Sequence, residues 1–368
     1  MNLIGEAAPR ERVLIVGGGP AGAAAAVVLA EAGEAPRLIE RSAGPHDKVC
    51  GGFLGWDSLA SLRALGVEPE RLGARPISRL RLSTAAGEAE ADLPHPAAGL
   101  SRRVLDEALL ARAAAAGARI ERGIAARSLD AAERRLRLDD GEEVAADALL
   151  LATGKHELRG AARPRDTSAD PVGLRVSLAA SPGLRHILEG VIELHLFDGG
   201  YAGLLLQEDG SANLCLSAAK ARLKRAGGIP ALIGELRAEL PRLDERLRAG
   251  EAGEWSAIAG VPYGWRGAAA EPGLFRLGDQ AAVIASLAGD GIAIALTSGR
   301  EAARAVIDGE VSGAYQARLA RRAARPVRIA EALRWAAERR RPRSALMRLV
   351  RAVPAAPRLA ARLTRIGS

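Results

Sequence analysis

The sequence predicts an α/β protein: a Rossmann-like domain with a parallel sheet, a second, mainly β-sheet domain of α+β type, and a helical C-terminal tail. Three observations support this prediction: a strand, glycine turn, helix and strand over residues 12–40, strands and turns over residues 172–218, and an arginine-rich stretch after residue 312. A chain of 368 residues is long enough for two or three domains. With 48% hydrophobic and 26% charged residues, the composition is that of a globular protein and excludes wholesale disorder.

The first predicted element is a βαβ unit. An apolar strand over residues 12–16 is followed by a glycine turn and by a helix over residues 21–32, which Gly33 ends. Residues 37–40 form the second strand, so the unit has about the ~30 residues expected of such a motif. A parallel sheet therefore begins with the first strand.

The glycines of this turn have the spacing Gly17-x-Gly19-x-x-Gly22, which is a dinucleotide-binding fingerprint. Glycines permit the tight turn and let the backbone approach a pyrophosphate, which then lies at a helix N-terminus. Glu40 ends the next strand, where its carboxylate can accept hydrogen bonds from both ribose hydroxyls and would repel a 2′-phosphate. The pattern therefore favours FAD or NAD over NADP.

The rest of the nucleotide-binding half is predicted from separated pieces of the chain, with the strands of a second domain between them. The elements predicted after residue 40 are strands outside the first sheet over residues 75–97, a helix over 100–117, a buried strand over 147–151, strands over 172–218, a helix over 229–247, an extended segment over 255–265, a strand over 274–277 and a helix over 292–307.

A second glycine motif decides between the two dinucleotides. The segment from Gly278-Asp279 to Gly289-Asp290-Gly291-Ile292 resembles the second FAD fingerprint of flavoproteins with the p-hydroxybenzoate hydroxylase fold, a group that includes geranylgeranyl reductases and flavin-dependent halogenases. The resemblance implies that Asp279 bonds the ribityl chain. It also implies that Gly289 and Gly291 bring backbone amides and a helix N-terminus to the flavin, where a positive dipole stabilises negative charge. Many relatives carry a proline where this chain has Ser286.

Two shorter segments resemble the same group. Ser101 to Asp106 resembles an element in which an arginine at the head of a helix reaches the FAD phosphates, which points to Arg102, with Arg103 as the alternative. Lys48 to Leu54 resembles the segment of geranylgeranyl-reductase-like proteins in which a Cys-Gly pair passes close to the flavin. Cys50 is then either a reactive thiol or a small residue of the wall, and we favour the wall.

The hairpin over residues 200–214 resembles the substrate-domain hairpin of this superfamily. Isoprenoid reductases have larger residues at the positions of Gly203, Leu205 and Leu206, and Tyr201 is a candidate pocket residue. Cys50 and Tyr201 are the two catalytic candidates. Cys215 lies in an alternating strand and is predicted to pack, and the five histidines lack metal-ligand spacing, so no metal site is predicted.

The predicted cofactor is FAD, with NAD(P)H as a transient electron donor, because no second glycine fingerprint for a nicotinamide domain follows residue 150. Electrons from another protein are the alternative. The predicted cofactor contacts are Gly17, Gly19, Pro20, Ala21, Gly22, Glu40, Arg41, Cys50, Gly51, Arg102, Asp279, Gly289, Gly291 and Ile292. The predicted FAD-binding domain comprises residues 1–75, 98–165 and 268–312, and the substrate domain comprises residues 76–97 and 166–267.

The C-terminal region, residues 313–368, has 15 arginines against Glu331 and Glu338, while the whole chain carries a net charge of +8. The rest of the chain is therefore acidic, and only 3% of the residues are aromatic, so no nucleic-acid partner is predicted. The apolar residues of this region have helical spacing, with breaks predicted at its prolines, which are Pro326, Pro342, Pro354 and Pro357. Such a basic amphipathic region either lies on an anionic bilayer or caps the other domains.

These observations predict an FAD-dependent oxidoreductase. We favour a single-component monooxygenase that uses NAD(P)H and O₂ on a small apolar or aromatic substrate. The alternatives are geranylgeranyl-reductase-like reduction of carbon–carbon double bonds, and a membrane-docked flavoprotein that passes electrons to a partner. The sequence has neither an apolar stretch of spanning length nor a secretory signal, so we expect a cytoplasmic protein, with peripheral contact to the inner membrane through residues 313–368 as one option.

Overall fold

The structure, a computed structural model, describes residues 10–163, 171–353 and 355–367. Its first part consists of β1 (Arg10–Val16), α1 (Pro20–Glu31), β2 (Arg37–Glu40), β3 (Phe53–Leu54), α2 (Trp56–Ala64), β4 (Arg75–Thr84), β5 (Gly87–Gly99), α3 (Arg102–Ala116), β6 (Arg119–Arg122), β7 (Ala126–Asp130), β8 (Arg135–Leu138) and β9 (Glu143–Leu151).

Its second part continues after residue 171. The elements are β10 (Val172–Ala180), α4 (Pro182–Leu188), β11 (Gly190–Phe197), β12 (Gly200–Leu206), β13 (Ala212–Ala218), α5 (Lys220–Ala226), α6 (Ile229–Glu239), α7 (Pro241–Arg248), β14 (Gly250–Ala252), β15 (Ser256–Ile258), β16 (Leu274–Arg276), α8 (Gly291–Ile307), α9 (Ser312–Ala337), α10 (Arg340–Ala352) and α11 (Ala355–Leu363). Short 3₁₀ turns lie at Pro69–Leu72, Gly278–Gln280 and Ser286–Ala288.

A seven-stranded sheet organises the cofactor half of the molecule. Strands β6, β2, β1, β9 and β16 are mutually parallel, and β8 and β7 continue the sheet in the antiparallel sense. Helix α1 packs closely on α8 because its facing residues are small: a Cβ on Gly299 would lie 2.1 Å from the Ala21 carbonyl oxygen. The carboxyl ends of β1 and β2 and the N-terminus of α1 therefore meet at one edge of the sheet.

A nine-stranded sheet forms the second half, with β4 and β5 inserted from the first part of the chain. Its order is β14-β10-β13-β12-β11-β4-β5-β3, with β15 beside β10, and all its pairs are antiparallel except β11 with β4. One face packs on α6 and α7 through buried residues including Leu232, Leu236 and Leu243. The other face is turned toward the cofactor half, where the side chain of Asn213 reaches the loop after β2.

The C-terminal helices pack on both halves. Helix α9 lies along α8 and β16 and buries Tyr315, Leu319 and Val327, while α10 and α11 contact β5. Among the described residues, no helix combines the length and the apolar character that crossing a membrane would require.

The fold class predicted from the sequence is confirmed, but three local predictions are wrong. The strands predicted over residues 172–218 are interrupted by a helix, α4, which Ser181 caps by accepting a hydrogen bond from the Leu184 amide. Pro326 does not break its helix: α9 runs through it, and the buried contacts of Val327 offset the backbone hydrogen bond that proline cannot make. The helix predicted over residues 229–247 is two helices, because Leu240, which precedes Pro241, adopts an extended conformation. Pro342 and Pro357 lie in the first turns of α10 and α11, and Pro354 lies outside the described residues.

Candidate functional site

In the first glycine turn, backbone atoms of different segments lie so close together that side chains would not fit between them. Gly17 has a φ of +107°, and a Cβ there would lie 2.5 Å from the carbonyl oxygen of Ala152. A Cβ on Gly22 would lie 2.0 Å from the carbonyl oxygen of Gly17. Pro20 begins α1, and its N-cap residue, Gly19, forms no side-chain capping bond. The amides of this helix N-terminus are therefore available to a negatively charged group.

Glu40 lies beside this turn, at the carboxyl end of β2. Its buried carboxylate accepts hydrogen bonds from the amides of Gly18, at 2.7 Å, and of Ser42, at 3.0 Å. Burial alone would raise the pKa of Glu40, but Lys48 and these amides outweigh it and lower the pKa below its ordinary value. Glu40 is thus an ionised acceptor. The neighbouring Arg41 bonds to Nε2 of His156, at 2.8 Å.

Arg102 lies next to the same turn. Ser101 caps α3 by accepting from the Val104 amide, and Arg102 then forms two hydrogen bonds of 2.7 Å with Asp106. A Cβ on Gly19 would lie 3.3 Å from Nη2 of Arg102. Burial acts to lower the pKa of Arg102, but Asp106 outweighs it and raises that pKa. The guanidinium is therefore a permanent positive charge beside the glycine turn, which favours Arg102 over Arg103 as the phosphate contact.

The second fingerprint begins where β16 ends. Gly278 has a φ of +55°, and the backbone oxygen of Asp279 accepts a 2.7 Å bond from Arg163. The Asp279 carboxylate lies 3.9 Å from Nζ of Lys155, which also donates to the carbonyl oxygen of Val49 at 3.3 Å. Burial alone would lower the pKa of Lys155, but Asp279 outweighs it and raises that pKa. Lys155 was missed from the sequence, although it directly follows Gly154 in the turn after β9.

Residues 286–291, here called the flavin loop, form the later part of the second fingerprint and lead into α8. Gly289 has a φ of +71°, and a Cβ there would lie 2.7 Å from the ring of Phe53. In contrast, a Cβ on Gly291, or on Gly51 of the loop after β2, would meet no described protein atom within 4 Å. Close packing therefore explains Gly289, whereas Gly51 and Gly291 leave room for a bound group.

A buried ion pair fixes the middle of the flavin loop. Asp290 is fully buried, and its carboxylate accepts from Nη1 of Arg365 at 2.8 Å and from the amide of Ile366 at 3.0 Å. Arg365 also donates to the carbonyl oxygen of Gly289 at 3.3 Å and stacks on Trp56, with its guanidinium carbon 4.5 Å from the ring centroid. The C-terminal segment thus holds the loop that precedes α8. No local sequence pattern indicates this contact, which joins residues 75 positions apart.

The loop that contains Cys50 is held by the second sheet. Asn213 donates from Nδ2 to the carbonyl oxygens of Cys50, at 3.0 Å, and Gly51, at 2.8 Å. Asn213 in turn accepts a 2.7 Å bond from the buried Arg175. For Cys215, burial raises the pKa to about 12, so its thiol is protonated at neutral pH. Cys50 is half-buried, as a wall residue of a cavity would be.

One lateral row of side chains crosses the face of the second sheet that is turned toward this loop. The strand register aligns five residues on neighbouring strands, which are Leu82, Leu194, Gly203, Cys215 and Arg175. Leu194, Gly203 and Cys215 are only partly buried, in strands whose other residues are almost all buried. The centre of the row therefore lines open space and is largely apolar. We call its three central residues, Leu194, Gly203 and Cys215, the apolar row.

Three hydroxyl groups meet beside this row. Tyr201, predicted as a pocket residue, forms a short hydrogen bond with Oγ of Ser286, and its hydroxyl lies 3.3 Å from that of Tyr263. The Tyr263 hydroxyl lies 2.6 Å from Ser286 Oγ, and the Leu287 amide donates to Tyr201 at 2.9 Å. We call Tyr201, Ser286 and Tyr263 the hydroxyl cluster. Sequence reasoning noted Tyr201 and Ser286 separately and missed Tyr263.

These residues fit an FAD molecule. The glycine turn, Arg102 and the uncapped N-terminus of α1 suit a pyrophosphate, and Glu40 suits a ribose. The N-terminus of α8 also lacks a side-chain capping bond and can face a flavin ring. A surface depression of about 540 Å³, lined by residues including Ser181 and Arg185, contains none of the predicted contacts.

Comparison with known proteins agrees with this assignment. Residues 10–160 match the family model described as "FAD binding domain". The menaquinone reductase of Mycobacterium tuberculosis (strain H37Rv) is 29% identical over 347 residues, which covers 87% of this chain and 82% of that protein. Digeranylgeranylglycerophospholipid reductase 2 of Methanopyrus kandleri is 28% identical over 339 residues, covering 82% of this chain and 79% of that protein.

A solved structure shows the same fold over nearly the whole chain. The geranylgeranyl bacteriochlorophyll reductase-like protein of Thermoplasma acidophilum superposes with a TM-score of 0.74 at 19% identity, covering 94% of this chain and 92% of that one. The predicted resemblance to flavoproteins of the p-hydroxybenzoate hydroxylase fold is thereby confirmed, and the family match shows an FAD-binding domain over residues 10–160. The predicted domain boundaries and the individual cofactor contacts stay predictions.

Proposed function

We propose that this FAD-dependent oxidoreductase reduces carbon–carbon double bonds of an apolar, isoprenoid-type lipid. The observation that carries the proposal is the hydroxyl cluster, which lies between the flavin loop and the apolar row of the second sheet. The two curated relatives support it, because one is named as a reductase of menaquinone and the other as a reductase of a geranylgeranyl lipid.

Reduction of a carbon–carbon double bond adds a hydride to one carbon and a proton to the other. Bound FAD, when reduced, supplies the hydride and is left oxidised. The chain must therefore supply a proton donor, an apolar binding surface and a site that keeps water away from the reacting carbons.

Tyr201 is a proton donor that stays neutral. Burial raises its pKa well above the ordinary value, and Tyr263 raises it further. Because the Leu287 amide donates to the Tyr201 oxygen, the tyrosine's own proton is directed to Ser286 Oγ or to the Tyr263 hydroxyl. Tyr201, at the buried end of the cluster, therefore carries a proton that it can transfer to Ser286.

Ser286 is the exposed member of the cluster and belongs to the flavin loop. A proton that leaves its Oγ can be replaced from Tyr201 or from Tyr263, which is half-buried and connects the cluster to solvent. We assign Ser286 as the group that donates to substrate and the two tyrosines as the groups that resupply it. A proline at this position, as in many relatives, could not do this.

The apolar surface lies on either side of the cluster. Leu194 and Gly203 lie on the sheet, Leu287 lies on the flavin loop, and Leu346 and Met347 of α10 pack against the same group of side chains. A hydrocarbon chain bound here would displace water from the double bond and would leave no buried polar group without a partner.

The test uses the full-length protein loaded with FAD and reduced anaerobically with dithionite. Addition of geranylgeraniol should restore the oxidised flavin spectrum and give a product that has gained two hydrogen atoms. With menaquinone, the two added hydrogen atoms should be found in the isoprenoid chain after the ring has been reoxidised in air, because two-electron reduction of the quinone ring alone would also reoxidise the flavin. Ser286→Ala and Tyr201→Phe should slow this reoxidation by about a hundredfold while the flavin content is unchanged, since a positioned proton donor contributes about that factor or more. Ser344→Ala, an exposed serine of α10, is the matched control and should leave the rate unchanged.

The same preparation tests the other predictions. Monooxygenation of an apolar or aromatic substrate requires NAD(P)H and O₂, so substrate-stimulated oxygen uptake, with one oxygen atom added to the product, would replace the reductase proposal. Flavin bleaching by NADH or NADPH tests the predicted electron donor. If neither nicotinamide bleaches the flavin and neither lipid reoxidises it, electron transfer to a partner protein becomes the better proposal.

A further inference from the structure

We propose that the outer face of α10 and α11 docks on the surface of an anionic lipid bilayer. This docking face consists of the exposed apolar residues Leu349, Val353 and Leu359 and the exposed arginines around them, which are Arg340, Arg341, Arg348, Arg351, Arg358 and Arg362. The inference deepens the proposed function, on which it rests for the lipid that the surface would deliver.

Half of the exposed large apolar residues that the structure describes lie at this face. Within the described ranges, six large apolar side chains are exposed, and all lie between residues 307 and 359. Leu349, Val353 and Leu359 are 49%, 43% and 58% exposed, and Trp335, at the end of α9, is 51% exposed. Single exposed apolar residues are common on protein surfaces, but such a concentration marks a contact with a partner or a membrane.

The charge of the same segment fits an anionic lipid surface. Between Arg339 and Arg362 the sequence has eight arginines and no aspartate or glutamate. Arg340, Arg341 and Arg348 are exposed and form no ion pair with any residue that the structure describes. Leucine and tryptophan among arginines are typical of segments that lie in the bilayer interface, where the apolar residues enter the lipid and the arginines contact headgroups.

Helix α10 joins this face to the proposed substrate site. Its inner side buries Met347 and Val350 against the cluster that contains Tyr201 and Leu196, while Arg348 and Leu349 face outward. One helix thus separates the bilayer surface from the hydroxyl cluster. A lipid leaving a docked bilayer would have only this helix to pass before it reached the apolar row.

The experiment measures co-sedimentation of the full-length, FAD-loaded protein with vesicles, without substrate. Vesicles of phosphatidylcholine are compared with vesicles that also contain phosphatidylglycerol, at low and high salt. We expect binding to the anionic vesicles only, and weaker binding at high salt. Arg341→Gln with Arg348→Gln should lower the partition coefficient about fivefold per arginine, and Leu349→Ser, Val353→Ser and Leu359→Ser together about tenfold.

The matched control is Ile307→Ser with Val311→Ser, two exposed apolar residues outside the docking face, and it should bind as the parent does. Surface variants are preferable to truncation after residue 312, because truncation would remove Tyr315 and Leu319 from the core. A normal far-ultraviolet circular dichroism spectrum and unchanged flavin content show that each variant is folded.

Three results would overturn the proposal: no binding to anionic vesicles, equal binding by the apolar variant and the parent, or a loss of binding in the control as large as in the docking-face variants. The second of these results, if binding still depends on the arginines, would indicate an acidic macromolecule as the partner. Because no substrate is present, failure here is separate from failure of the proposed reduction, which flavin reoxidation reports.

Discussion

Two regions of this protein, the glycine contacts of helix α1 and the Glu193 cluster of the second sheet, are held together by different means. In the cofactor half, backbone lies against backbone, and a methyl group on Gly22 or Gly299 would lie about 2 Å from a carbonyl oxygen. In the second half, a fully buried carboxylate, Glu193, lies among Arg81, Arg246 and His195. Close backbone contact requires glycine at fixed spacing, and this spacing can be recognised in a sequence. The residues of a buried ion cluster, in contrast, lie far apart in the sequence.

The prediction with the largest effect on stability concerns the Glu193 cluster. Arg246 donates to Glu193 at 3.0 Å, His195 Nε2 lies 3.2 Å from its carboxylate, and Arg81 forms a short bond with it. Glu193→Ala should lower the free energy of unfolding by about 4 kcal/mol, because it leaves the buried Arg246 and the partly buried Arg81 without their shared anion. Denaturant unfolding at neutral pH measures this. Glu254→Ala, an exposed glutamate near β15, is the control and should change stability by less than ~0.5 kcal/mol.

The same cluster predicts an acid-dependent stability. Burial alone would raise the pKa of Glu193, but hydrogen bonds from His195 and Arg246 outweigh it and lower the pKa from 4.5 to about 2. A carboxyl group with a lowered pKa in the folded state stabilises the protein above the unfolded pKa and loses this contribution as pH falls through the folded pKa. Between pH 4.5 and pH 2, therefore, about 3 kcal/mol should be lost through this group. The Glu193→Gln variant should lack that part of the acid dependence, and a variant with the parent's full dependence would contradict the assignment.

The next prediction concerns the glycine turn of the cofactor half. Gly22→Ala places a Cβ 2.0 Å from the Gly17 carbonyl oxygen, so α1 must move away from the turn. We expect a loss of about 3 kcal/mol in unfolding free energy, as for overpacked interiors, and loss of the flavin on desalting. Gly313→Ala is the matched control, because a Cβ there meets no described atom within 4 Å. Retention of bound FAD by the Gly22 variant would show that the cofactor does not depend on this turn.

The difference between the halves also decides how much the sequence predicts. Both glycine fingerprints lie where the sequence places them, at the ends of β1 and β16, because each is a local turn between a strand and a helix. The position of Glu40 was likewise predicted from its spacing in the sequence from the first glycine turn. Such features depend on neighbours in the sequence, so the fold class and the FAD-binding half could be predicted.

The hydroxyl cluster and the Asp290–Arg365 pair could not be predicted in this way. The hydroxyl cluster joins Tyr201 to residues 62 and 85 positions away, and the Asp290–Arg365 pair joins residues 75 positions apart. These contacts arise only when the second sheet and the C-terminal helices pack on the cofactor half. The secondary-structure propensities of neighbouring residues carry no information about these contacts. Helix α9 continues through Pro326, which shows that tertiary packing can override a residue that normally breaks a helix.

The smallest effect is expected at Gly203, which sharpens the comparison between glycines of the two halves. A Cβ on Gly203 would lie 3.4 Å from Leu194 and 3.7 Å from the carbonyl oxygen of Cys215, which are ordinary contacts. Unlike Gly22, this glycine is therefore not required by the backbone. Gly203→Ala should change the unfolding free energy by less than about 1 kcal/mol and leave the flavin bound.

A larger side chain at this position should instead alter the substrate site. The ring in Gly203→Phe would occupy the open centre of the apolar row, between the partly buried Leu194 and Cys215. We expect kcat/KM for menaquinone to fall about tenfold, or ~1.4 kcal/mol, with a smaller decrease for the slimmer geranylgeraniol, because a filled pocket excludes the bulkier group first. Equal decreases for both lipids, or loss of flavin from the variant, would show that Gly203 supports the fold and does not line the substrate cavity.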